Sequence, residues 1–271
     1  MATDTVQSES QGTDPRRSVT LDRFLGNDAV REFLQRAWDR RSLPHAILID
    51  GPDGIGKTTL AFALMRLIAA GGGDPATDVH ALKVERGVHP DMLELRAKHS
   101  AGSQITLRDL GEIESLLLTP PLEAERKVVL IEPADRMNQN LANAMLKLLE
   151  EPPPGLLFVL LAADPGLVLE TIRSRCVRLP LQPVEDPALI EWLRARRRLG
   201  DDESRLIARL AEGRPGQALR LCEAKILASR GELLGALRRL AREGFASLFQ
   251  VAEVFLGVPD ALEATLLMAV T

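Results

Sequence analysis

The chain has 271 residues, 45% of them hydrophobic and 27% charged, which suits about two soluble globular domains with a substantial core. Thirty-four basic against 38 acidic residues give a net charge of −4, which argues against wholesale coating of nucleic acid, though a local basic surface is compatible with it. Two cysteines, Cys176 and Cys222, exclude both a disulfide framework and a four-cysteine zinc site within one chain, and fit a reducing cytoplasm.

The opening residues are polar, lack the apolar run of a signal peptide, and are expected to form a disordered tail over 1–20. From Asp28 to Leu43, Val30, Phe33, Leu34, Ala37 and Trp38 recur at helical spacing. "AILID", Ala46 to Asp50, predicts a short buried strand that runs straight into "GPDGIGKTT". "TLAFALMRLIAA" predicts the following helix, and Gly71-Gly72-Gly73-Asp74-Pro75 breaks it. A polar, poorly periodic stretch then extends to Pro90. "DMLELRA" and "KVVLIE" predict the second and third strands, with a helix from Thr106 to Leu118 between them. "NQNLANAMLKLLEE" predicts a helix with Leu141, Met145, Leu148 and Leu149 on one face, ended by three prolines. "GLLFVLLAA" predicts a fourth strand and "VLETIRSRC" a helix leading into a turn. Strands alternating with helices imply an α/β fold with a parallel sheet and helices on both faces. Beyond "VRLPLQP" the β pattern vanishes and only helical segments follow, so the expected division is 21–180 for the α/β domain, 181–222 for an all-α lid and 223–271 for a short helical region. No stretch is apolar for long enough to span a bilayer.

The stretch Gly51-Pro52-Asp53-Gly54-Ile55-Gly56-Lys57-Thr58 fits G-x-x-x-x-G-K-[ST] between a strand and a helix, the context that gives this motif its meaning. Glycines let successive backbone N–H groups curl around phosphate oxygens, and the new helix adds its positive end. In that chemistry Lys57 reaches the outer phosphates and the Thr58 hydroxyl ligates magnesium, with Thr59 completing the loop. A hydrolysing chain usually closes its third strand with two adjacent carboxylates, one for magnesium and one for water. This chain has Glu132 followed by Pro133, and proline performs no acid–base chemistry.

"DRFLGNDAVREFLQRA…RSLPHAILIDGPDGIGKTTLAFAL", "HPDMLEL", "ADRMNQNLANAMLKLLEEPPPGLLFVLLAADP" and "IRSRC" together resemble the bacterial DNA polymerase III clamp-loader family. Within it the delta-prime subunits are the best match and the gamma/tau subunits the nearest relatives. The resemblance runs from Leu21 to Ala218. It implies an AAA+ P-loop nucleotide domain, a small helical lid and a helical collar (223–271, short for the family). It also implies ATP or ADP with magnesium as ligand, held by the loop, Thr58 and Glu132. Leu25, Gly26 and Asn27 would flank the adenine. Arg175 would be an arginine finger acting on a neighbouring subunit's ATP, a role that suits a planar, permanent charge, although an arginine at a helix end is more commonly solvated or salt-bridged. The implied partners are the gamma/tau and delta subunits, the sliding clamp and primer-template DNA, with no membrane and a cytoplasmic location.

Three departures weaken hydrolysis. Pro133 replaces the water-orienting acid, with Asp135 the nearest substitute. Asp164 stands where relatives place asparagine, and Gly216 where they place arginine, with Arg214 two positions away. The expectation is a subunit that grips nucleotide and turns it over poorly; an active gamma/tau-like ATPase motor is the alternative. The family often inserts a zinc module in the region 71–90. No cysteine lies there, and His80, His89 and His99 lack ligand-like spacing, so no zinc is expected and they read as surface or loop residues. The start of the helix at Thr106, with Ser103 and Arg108, is a candidate contact for DNA phosphate, and a capped helix touching nothing is the equal alternative. "RARRRLG", Arg194 to Gly200, reads as a solvated helix face.

Overall fold

The computed structural model describes residues 14–97, 104–106, 111, 117, 119–197 and 199–223. The chain divides into two units, Met1–Gln182 and Pro183–Thr271.

The first unit is built on five strands: β1 (Ala46–Asp50), β2 (Met92–Arg96), β3 (Lys127–Glu132), β4 (Leu156–Ala162) and β5 (Val177–Pro180), in the order β2-β3-β4-β1-β5. All pairings are parallel. The three central strands read as nearly continuous apolar runs because both faces are covered. Along β4, Leu157, Val159 and Leu161 pack on one side and Leu156, Phe158, Leu160 and Ala162 on the other. The first side is closed by α1 (Asp28–Asp39) and α2 (Lys57–Ala70), the second by α4 (Gln139–Glu150) and the single-turn α5 (Glu170–Arg173).

Helix α2 is buried all round from Leu60 to Ala69, which explains why its sequence carries no polar stripe. It stops at Gly71, which takes the left-handed conformation that only glycine adopts at little cost. Helix α1 buries Leu34 and Ala37 and half-buries Val30 and Trp38, but Phe33 is exposed. The polar stretch after α2 holds a further helix, α3 (Val79–Glu85), capped by the Asp78 side chain on the amides of His80 and Ala81. Seven residues that bury only Ala81 and Val84 are too few to print a period on the sequence.

The tail expected to be disordered through residue 20 is ordered from Asp14. Pro15–Ser18 form a 3-10 turn, Arg17 pairs with Glu94 at 2.6 Å, and its guanidinium lies 4.3 Å from the centre of the Phe62 ring. Composition suggested almost nothing to bury, yet Arg17 finds an acid on β2 and an aromatic face on α2. Residues 1–13 lie outside the described residues.

The second unit contains α6 (Asp186–Arg197), α7 (Asp201–Ala211) and α8 (Pro215–Glu223), packed through Leu189, Leu193, Ile207, Ala208, Ala211 and Ala218. Arg194 pairs with Asp201 and Arg197 with Glu223, each at 2.8 Å, so two arginines of the basic run are matched within their own unit. Among the described residues no helix is long and apolar enough to cross a membrane. The expected collar, 223–271, lies outside the described residues except for Glu223.

Candidate nucleotide site

The loop Gly51–Thr58 springs from the C-terminal end of β1, where parallel sheets of this kind bind ligands beside a reversal of strand order. Backbone bonds hold both sides of its entrance: Gly51 N–H donates to the Ala162 carbonyl at 3.2 Å, and Leu181 N–H to the Asp50 carbonyl at 2.8 Å. Gly51 and Gly56 have φ of +146° and +113°. A Cβ on Gly51 would stand 3.1 Å from the Leu181 carbonyl oxygen, and one on Gly56 3.2 Å from the buried Phe24 ring. Both glycines are therefore demanded by conformation and by space.

Lys57 is buried at the start of α2, and its ammonium donates to the carbonyls of Gly51 at 2.6 Å and Pro52 at 3.1 Å, with the Asp53 carboxylate 3.4 Å away. Pro52 and Asp53 are exposed at the loop tip, Gly54 is half-buried, and Ile55 anchors the loop in the core. Thr58 is buried; Thr59 is half-buried. The Thr58 hydroxyl donates to Glu132 Oε1 at 2.5 Å, bringing together the two oxygen ligands that a magnesium–nucleotide would use. A hydroxyl and a carboxylate at the mouth of a phosphate loop are the donor set that this cation takes, so the residues fit the group.

Pro133 offers nothing beside Glu132. The Asp135 carboxylate accepts from the amides of Ala163 at 2.8 Å and Asp164 at 3.1 Å, tying the end of β3 to the end of β4. Both amides go to Oδ2, which fixes this carboxylate as a cap on the turn after β4. Asp164 turns its own carboxylate onto the Gly166 amide at 2.7 Å, as the cap of a 3-10 turn. Arg214 donates to the Ala211 carbonyl and pairs with Glu212 inside the helical unit.

Leu25, Gly26 and Asn27 form the half-buried turn before α1. The Asn27 amide grips the backbone of Gln182 from both sides: Nδ2 donates to its carbonyl at 3.0 Å and Oδ1 accepts from its N–H at 2.7 Å. Phe24 of the same turn underlies Gly56, so the turn is packed against the glycine loop.

Arg175 follows α5 at the surface, its side chain 35% exposed. It pairs with Glu150 at 2.7 Å and donates to the Thr171 carbonyl at 2.8 Å. The partner is itself half exposed, at 51%, so the pair sits in solvent, where such bridges contribute little. Next to it burial pushes the Cys176 thiol up to about 12, consistent with a packing role.

Of the DNA-contact candidates, Thr106 is half-buried beside Ile105, which bridges to Met137 in parallel. Ser103 and Arg108 lie outside the described residues.

The reading of the histidines as surface or loop residues needs correction. His89 is buried, and His80, His89 and Glu123 gather their ligand atoms within 4.8 Å of one another, because the loop before β3 folds back onto α3. His99 is outside the described residues. The cluster does not suit a metal. Lys83 Nζ already lies 2.7 Å from both Glu123 oxygens. The His89 Nδ1 accepts from the Asp91 amide at 3.1 Å, which leaves the ring proton on Nε2, the atom a metal would need bare.

Sequence reasoning missed Arg96 and Asp91. Arg96 ends β2 and pairs through Nη2 with Glu132 Oε2 at 3.1 Å. Asp91, fully buried, accepts from the amides of Leu122, Glu123 and Ala124 at 2.7 to 2.9 Å. The "HPDM" stretch was visible as a motif, but nothing in it announces an acid that caps a loop thirty residues later.

The sequence model described as "DNA polymerase III, delta subunit" matches residues 26–185. The chain is 33% identical over 167 residues to the DNA polymerase III subunit delta' of Bacillus subtilis, covering 60% of this chain and 50% of that protein. It is 32% identical over 224 residues to the delta' subunit of Pseudomonas aeruginosa, covering 79% and 66%. It is also 27% identical to the tau subunit of Escherichia coli, over 80% of this chain and 34% of that one. The chain thus spans half to two thirds of the length of these two delta' relatives. In fold it resembles the Thermotoga maritima RuvB Holliday junction branch migration motor, with a TM-score of 0.53, 23% identity, and coverage of 81% and 66%, a likeness of architecture alone. With more than half its length matched by that model, the chain belongs to the DNA polymerase III delta-subunit family.

Proposed function

We propose that this chain is a delta-prime-like subunit of the replicative clamp loader, a cytoplasmic ring that places the sliding clamp on primed DNA together with gamma/tau and delta subunits. It binds ATP or ADP with magnesium through Gly51–Thr59 and Glu132, with Leu25, Gly26 and Asn27 at the base. It hydrolyses little, and it offers Arg175 to a neighbouring subunit's nucleotide. The observation that carries the reading is a complete grip beside an incomplete engine. Thr58 and Glu132 meet at the loop, while Pro133 stands in place of the water-activating acid and Asp135 is tied through Oδ2 to two amides at the end of β4. Positioned acid–base help is worth roughly 10²–10⁴ in rate, so its loss leaves binding intact and turnover slow.

The exposure of Arg175 supports the role in trans: its pair with Glu150 is a surface contact that a phosphate can replace. In a reconstituted loader, Arg175→Ala is expected to cut ATP turnover by the adjacent subunit by roughly 10³-fold or more while leaving assembly intact. Unchanged turnover rejects the finger. For the purified chain, fluorescent ATP is expected to bind without measurable product, and Lys57→Ala to abolish binding. Robust turnover that Lys57→Ala removes would replace this reading with an active gamma/tau-like motor.

A further inference from the structure

Arg96 and Glu132 are direct partners in the parallel register of β2 and β3, and both point to the α2 side of the sheet. Glu132 has two oxygens and both are engaged, Oε1 by Thr58 and Oε2 by Arg96. Glu94, two residues before Arg96 on the same face, holds Arg96 Nε at 3.1 Å and Arg17 at 2.6 Å. The guanidinium of Arg96 stands 5.4 Å from the centre of the Phe62 ring, close beside that of Arg17. Glu94 and Glu132 are therefore matched by Arg17 and Arg96 on this face of the sheet. The Nε and Nη2 of Arg96 are shut off from water, and neither makes a well-directed hydrogen bond with the acids beside it. That guanidinium is held between Glu94 and Glu132 by charge.

A divalent cation normally does two things at such a mouth: it neutralises phosphate charge and it is drawn in by the free charge of the strand-end carboxylate. Here an arginine that cannot lose its proton already neutralises that carboxylate and supplies positive charge on the same side. Resting on the proposal that the loop binds nucleotide, we infer that Arg96 takes over much of the charge-compensating part of magnesium, so that this chain holds nucleotide with little dependence on a divalent ion. Arg96 acts as an affinity- and specificity-determining residue; it is assigned no part in bond breaking.

The test is a titration of the full chain with a fluorescent ADP analogue at fixed ionic strength, in excess magnesium and in excess EDTA. The wild-type dissociation constant is expected to differ by no more than about threefold between the two. Arg96→Met is expected to raise that ratio to about tenfold or more, and Arg96→Lys, which restores a charge, to bring it back toward wild type. A wild-type chain that loses tenfold or more on chelation overturns the inference without recourse to any variant. So does an Arg96→Met chain, folded by circular dichroism, whose ratio equals that of wild type. Absence of binding in both conditions is a different result: it rejects nucleotide binding itself and removes the inference with it.

Discussion

Burial acts on the Cys176 thiol in one direction, upward to about 12, because the thiolate would have to form among apolar neighbours of α5 and the sheet. At pH 8 the folded chain is therefore expected to react with a disulfide reagent at Cys176 far more slowly than the same chain in denaturant. Stopped-flow labelling of the Cys222→Ser variant measures this, and equal rates in the two states would contradict it. A cysteine beside the proposed finger thus has a packing explanation and needs no redox role. That much was legible from "SRC" alone, since a small apolar residue is the ordinary use of an unpaired cysteine. The setting of Arg175 was not. Its contact with Glu150 joins the end of α4 to the end of α5, and sequence separation conceals that meeting.

At the scale of elements, α2 is tied to its neighbours by one buried charge as well as by its apolar surface. Arg66 is fully buried, yet it donates to the carbonyl of Pro75 at 2.6 and 3.1 Å and of Arg17 at 3.2 Å, and pairs with Glu85 at 2.7 Å. It thereby ties α2 to the loop after it, to α3 and to the ordered N-terminal turn. Removing one partner of a buried charged network leaves the rest desolvated and unmatched, so Arg66→Met is expected to cost about 3 kcal/mol or more in denaturant unfolding. A cost below about 1 kcal/mol, the usual worth of a surface ion pair, would show that the network is incidental. Periodicity could not find this residue, because an arginine within an apolar helix reads as an interruption. The strands were the easier problem: runs such as "KVVLIE" and "GLLFVLLAA" are apolar on both faces and admit few other structures. Helix α3 went unseen for the opposite reason, as local pattern is weak where burial is slight, and Phe33, grouped by spacing with the apolar face of α1, is exposed.

Across the whole molecule, acid should be the vulnerable direction. Burial of His89 lowers its pKa from the ordinary 6.5, with nearby Asp91 and Glu123 only partly opposing it. The unfolded chain therefore takes up a proton that the folded chain refuses, and stability falls as pH drops below about 6.5 toward the folded value. For Asp91 burial pushes upward, but the amides of Ala124, Glu123 and Leu122 outweigh it and hold the carboxyl below its ordinary 3.8. That contribution is present above the ordinary value and is lost as pH falls through the folded one. Guanidinium unfolding midpoints are expected to be flat above pH 7 and to decline at pH 5.5, with His89→Phe removing the decline nearest neutrality. A midpoint that rises on acidification would contradict the assignment.

The sequence by itself determined the sheet of parallel strands, the glycine loop between β1 and α2, the family, and the lack of a second acid after Glu132. These are local facts: a run of apolar residues, a glycine spacing and a proline each impose their consequence wherever they stand. Only the tertiary structure decided which groups meet at the mouth of that loop. Arg96 reaches Glu132, and Asp135 is claimed by the amides at the end of β4. Both depend on register between strands that the chain joins only through long crossovers, and alternation along a strand specifies a face without naming the neighbour across it.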